Sequence, residues 1–110
     1  MALTHAASGE IVSVRPLGSA LRESVSATLV RAPHFEVFRF VLPAGKTTPM
    51  HEAAGLITIQ CLEGEVALDA HGRRQTLQAG DLVYLDDAEP HAVSAMTDAS
   101  LLVTILLHRV

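Results

Sequence analysis

Prolines and glycines cut this chain into short pieces, and that spacing limits its fold more than any other feature. Pro33, Pro43, Pro49 and Pro90 fall between apolar runs, where a ring in place of the N–H would break any helix drawn across them. Gly45, Gly64 and Gly80 sit in the turn sequences PAGK, LEGE and QAGD, and glycine accepts the positive φ such turns use. Between the breaks lie VSATLVRA (25–32), FEVFRFVL (35–42), LITIQCL (56–62), EVALDA (65–70), RQTL (74–77), LVYL (82–85), HAVSAM (91–96) and LLVTILLH (101–108). Short, β-branched runs at regular spacing predict an all-β sandwich or barrel. No window sustains the i, i+3, i+4, i+7 spacing of an amphipathic helix, and residues 18–23 are expected to make one short turn.

A chain of 110 residues is expected to form a single domain with a core that needs no staples. Its 49% hydrophobic and 18% charged residues exclude a disordered chain. The formal charge of −4 and the scattered basic residues, with Arg73-Arg74 the only adjacent pair, argue against nucleic acid as a partner. The longest strongly apolar stretch, LLVTILL (101–107), is far shorter than the roughly 20 residues of a membrane-spanning helix. The opening MALTHAASGE has neither the basic nor the apolar region of a secretory signal. Cys61 has no second cysteine to pair with. A soluble, cytoplasmic protein with no membrane partner is expected.

The glycines and histidines together resemble the cupins, whose fold is a double-stranded β-helix, or jelly-roll barrel. Gly45 is followed by KTTPM and His51, and Gly64 closes the pattern at the place of the first cupin motif. Gly80 and His91 stand in the register of the second motif, with a 15-residue spacer (65–79) between the two. The resemblance implies a barrel over residues 34–110, preceded by a leader and N-terminal strands over 1–33 that could cross to a partner. It also implies a lumenal metal centre of three histidines and a glutamate. Here Ala53 stands at the second histidine position and Ile57 at the glutamate position, while Asp86 and Ala88 replace the proline and glycine of the second motif. His51 and His91 are the metal ligands that remain. They are expected to hold a divalent ion (Zn, Ni, Fe or Mn) weakly unless another group completes the shell.

Strand alternation puts Ile57, Ile59 and Cys61 on one face, expected to line the lumen with Ala53. Cys61 is expected as a small buried residue, with a thiolate third ligand as the alternative. Tyr84 is expected to pack in the core with its hydroxyl bonded. Arg39, a charge within an aromatic strand, pairs with Glu36 or an interface partner, or faces the pocket and binds a carboxylate. His34 is expected at the surface, with the lumen as alternative, and His5, His71 and His108 are expected to be solvated. Alternation points Glu52 away from the lumen, and Asp86, Asp87 and Glu89 read as a polar loop at the barrel mouth.

Apolar residues on both faces of LLVTILL, FEVFRFVL and LITIQCL predict a covered outer face, most simply by a second copy in a homodimer. The function expected is binding of a small molecule, or weakly of a divalent metal, in the lumen without assured catalysis. The alternative is a metal-dependent oxygenase or isomerase acting on a small organic acid or sugar derivative.

Overall fold

The computed structural model describes residues 5–53 and 55–107. His108 lies outside them. Eight strands follow a short 3-10 helix, Gly18–Glu23: β1 Ala27–Arg31, β2 Phe35–Leu42, β3 Gly55–Glu63, β4 Glu65–Ala70, β5 Arg73–Gln78, β6 Leu82–Leu85, β7 His91–Ala95 and β8 Ala99–Leu107. They form two antiparallel sheets, one ordered β1-β2-β8-β3-β6 and the other β5-β4-β7. Two packed antiparallel sheets are the all-β architecture that the proline and glycine spacing predicts, and the arrangement is the jelly roll that the cupin resemblance implies.

Alternation builds the core. Along β3 the buried residues are Gly55, Ile57, Ile59 and Cys61, with half-buried residues between them. They meet Leu101 and Val103 of β8 and face Val66, Leu68 and Val93 of the smaller sheet across the interior. Each such aliphatic side chain contributes about 1.5–3 kcal/mol on burial, so this shared interior is what holds the two sheets face to face.

The connections are tight where the sequence places glycine. Gly64, at φ 82°, joins β3 to β4, and a Cβ there would run into the Asp98 carbonyl oxygen. Gly55, at φ 134°, opens β3 so close to β8 that a Cβ would collide with the Leu106 carbonyl oxygen. Glycine is therefore the one residue that lets these backbones approach.

The leader packs against its own barrel. Leu21 of the 3-10 helix is buried, Arg22 Nε donates to Asp98 at 2.8 Å, and Ala6 N–H donates to Leu29 O at 2.8 Å. Leu17 and Gly18 N–H donate to the Glu63 carboxylate at 2.8 and 3.0 Å. Part of the outer sheet face is thus covered from within the chain. Leu82, Tyr84 and Leu106 remain exposed on that face.

Candidate functional site

After β2 the chain turns at Pro43–Lys46 and runs beside β7 without becoming a regular strand. Gly45 N–H bonds Ala95 O, Ala95 N–H bonds Lys46 O and Thr48 N–H bonds Val93 O, at 2.8–2.9 Å. The run ends in a bridge between the two histidines: His51 N–H donates to His91 O at 3.0 Å and His91 N–H to His51 O at 2.8 Å. The imidazoles lie together, with ring centroids 4.4 Å apart and planes tilted by 55°. His91 is buried and His51 is exposed.

Both rings are anchored the same way. His51 Nδ1 lies 2.9 Å from Pro49 O, and His91 Nδ1 lies 3.0 Å from Glu89 O. A carbonyl oxygen only accepts, so each Nδ1 carries the proton and donates it. In the uncharged ring each Nε2 then keeps its lone pair, and neither Nε2 has a hydrogen-bond partner among the described residues.

The two rings border a cavity of about 270 Å³. Its walls are the inner face of the larger sheet, including Phe38, Phe40, Ile57, Ile59, Leu101, Val103 and Ile105, with Val93 of β7 opposite. Thr48, His51, Glu52 and His91 supply the polar lining. The interior is therefore an apolar pocket with its polar groups confined to the histidine bridge and its flanks.

Of the residues singled out in the sequence, His51, His91, Ala53, Ile57 and Ile59 line this cavity. Four others do not. Cys61 lies on the same face of β3 but near its far end, with its thiol directed at Glu63 O and Gly64 O, 3.5 and 3.4 Å away. Burial pushes that thiol up, and the charges of Asp81, Glu63 and Glu65 add to the effect, so a thiolate ligand is disfavoured there. Tyr84 is exposed rather than in the core, because its place on β6 opposite Thr58 faces outward, and its hydroxyl donates to Asp86 at 2.9 Å. Arg39 also faces outward, beneath the leader, where Nη2 donates to Arg15 O at 2.8 Å. Glu36, one of the partners considered for it, pairs with Arg31 at 3.4 Å. His34 is exposed outside the cavity, in the turn between β1 and β2.

The acidic loop is divided among separate tasks. Asp86 accepts from Tyr84, Asp87 accepts from Gly55 N–H at 2.8 Å, and Glu89 accepts from His71 N–H at 3.2 Å while meeting its ring at 3.3 Å. His71 is thus tethered rather than simply solvated. Glu52 lines the cavity although alternation points it away, because the strand-like run breaks after His51. Phe38 and Phe40 were also absent from the sequence-based pocket; their alternate positions in FEVFRFVL carry the signal that they share the inner face.

The residues do not build a three-histidine, one-glutamate metal centre. Ala53 and Ile57 present hydrocarbon to the cavity where that centre needs donors, and no group of three histidine, cysteine or acidic side chains gathers for a metal among the described residues. Two imidazoles are the full set of nitrogen donors at the bridge.

Residues 38–107 match the Cupin_2 family, described as a cupin domain, and the chain belongs to that family. Among solved structures, a cupin superfamily protein from Desulfitobacterium hafniense superposes with a TM-score of 0.76 at 18% identity, covering 89% of this chain and 95% of that one. An RmlC-like cupin from Desulfovibrio desulfuricans gives 0.73 at 27% identity, covering 87% and 97%. A variant of salicylate 1,2-dioxygenase from Pseudoaminobacter salicylatoxidans gives 0.69 at 22% identity, covering 73% of this chain and 25% of the enzyme. No curated protein matches in a sequence search. Among the described residues no helix is long and apolar enough to cross a membrane.

Proposed function

We propose that this cupin binds a small, largely apolar molecule in its lumen, with the His51–His91 bridge holding the molecule's polar end. The carrying observation is the cavity itself: about 270 Å³, walled by phenylalanine and branched aliphatic side chains, with its polar groups at the bridge and its flanks. That volume is just below the roughly 300–1,000 Å³ of ligand pockets, which suits a small ligand. The test is to titrate metal-free protein with benzyl alcohol and follow the methyl resonances of Ile57, Ile59 and Val103. Shifts that disappear in Ala53→Trp, which fills the lumen, support the reading. Unchanged methyl resonances in the wild type defeat it.

A weakly held divalent ion (Zn, Ni, Fe or Mn) is the second reading, supported by the two free Nε2 lone pairs and by Nδ1 bonds of the kind that orient ligating histidines. Metal content of untagged protein, compared with the His51→Ala/His91→Ala double variant, decides it; equal content in both defeats it. Oxygenase or isomerase activity on a small organic acid or sugar derivative rests on fold likeness alone.

A homodimer belongs to the same proposal. Its support is the exposed apolar row of Leu82, Tyr84 and Leu106 beside the open edge of β6. Light scattering that finds a stable monomer removes it.

A further inference from the structure

The geometry points to a lumenal ligand whose head group donates hydrogen bonds, an amine before an alcohol, and not the carboxylate of an organic acid. This inference rests on the lumenal reading above and adds the sign of the polar contact.

The argument is an inventory of donors and acceptors. Pro49 O and Glu89 O hold the Nδ1 protons of His51 and His91, so each ring in its uncharged form offers the cavity an Nε2 acceptor. With centroids 4.4 Å apart, the rings place these acceptors at one end of the same cavity. Glu52, an exposed residue at the edge of the lining, carries a carboxylate, which accepts only. Thr48 carries the one side-chain hydroxyl of the lining, and its oxygen already accepts from Val93 N–H at 2.9 Å. The described lining includes no lysine, arginine, asparagine, glutamine, tyrosine or tryptophan.

A carboxylate placed at this end would meet two lone pairs and a like charge, with one hydroxyl to satisfy it. An ammonium group offers three donors to two imidazoles and a carboxylate, and meets a negative charge of opposite sign. An alcohol offers one donor and brings no charge. Arg39, the cation nearest in sequence to the lining phenylalanines, is turned to the outer face and bonded to Arg15 O, so it does not reverse this balance. The remainder of the ligand must be hydrocarbon, since the walls offer it nothing else.

The test uses three probes of one size: benzylamine, benzyl alcohol and benzoate. They are titrated into the full chain with EDTA present, at pH 8, above the ordinary range of imidazole protonation. The expected order of affinity is amine, then alcohol, then benzoate, with the amine ahead of benzoate by about tenfold or more. Glu52→Gln, at an exposed position, is expected to narrow the gap between amine and benzoate, since it removes the negative charge that separates them. Benzoate binding as tightly as benzylamine overturns the inference and leaves the lumenal reading standing. Failure of all three probes to bind overturns both. Nitrogen-15 spectra of the histidine side chains give an independent reading, with Nδ1–H expected for both rings; an Nε2–H tautomer in either overturns the inference.

Discussion

The buried hydroxyl of Ser100 donates to Glu63 Oε2 at 2.6 Å, and the same carboxylate receives the N–H groups of Leu17 and Gly18. One side chain at the end of β3 therefore joins β8 to the leader.

Burial alone would raise the Glu63 carboxyl, but the bonds from Ser100, Leu17 and Gly18 and the charge of Arg39 outweigh it and hold the group below the usual carboxylate range. A lowered carboxyl stabilises the fold above its unfolded-state pKa, and the contribution is lost as pH falls through the folded value. Stability is thus expected to be full above about pH 5 and to decline in acid below the ordinary glutamate range near 4. Glu63→Gln turns one of the two acceptor oxygens into an NH2 donor facing other donors and is expected to cost about 2 kcal/mol. Urea unfolding of both proteins at pH 7 and pH 3 measures this, and the difference between them is expected to shrink at the lower pH.

Cys61 is fully buried and its thiol is pushed up by burial, so it is expected to resist alkylation while the barrel is folded. Labelling at pH 8 is expected to run slower by about a hundredfold or more than in denaturant, as for a group exposed only by unfolding. Equal rates in the two conditions would show that the end of β3 opens freely.

Ala88 holds φ 61°, a left-handed conformation that costs a residue with a Cβ about 1–2 kcal/mol. Ala88→Gly relieves it against the entropy of a freer chain and is expected to raise stability by about 0.5–1 kcal/mol. Gly55→Ala does the reverse, since its methyl group meets the Leu106 carbonyl oxygen. That variant is expected to lose more than about 4 kcal/mol, among the largest single-residue effects. Thermal melts of the two variants beside the parent are sufficient to check both signs.

Leu101 is almost fully buried and lines the lumen, so Leu101→Ala is expected to cost about 2–5 kcal/mol while enlarging the cavity. If the lumen is the binding site, the variant's preference moves from benzyl alcohol toward a bulkier aryl alcohol. Calorimetric titration with both compounds reads that change.

The strands were legible in the sequence because their limits coincide with residues that backbone chemistry restricts. β4 and β6 match EVALDA and LVYL residue for residue, and the 3-10 helix matches 18–23. The inner face of β3 was legible as well, since alternation holds from Gly55 to Cys61. Alternation misled where regular pairing stops. Residues 47–51 make only isolated bridges, so the rule that pointed Glu52 outward had no strand to act on. Arg39 and Tyr84 depend on which face of the sheet meets the core and what the leader covers. The bond from Arg39 to Arg15 spans 24 residues and that from Leu17 to Glu63 spans 46, distances over which local periodicity carries no information.

The paired backbone hydrogen bonds between His51 and His91 make the two imidazoles a gauge of fixed width. Main chain rather than side-chain packing sets the separation of the ring roots, and the carbonyls at Pro49 and Glu89 set their swing. Substitutions in the apolar wall can reshape what fills the barrel without altering that gauge. If the lumen binds as proposed, a head group of the wrong span would be turned away instead of being accommodated, and discrimination by length would be a property of the backbone.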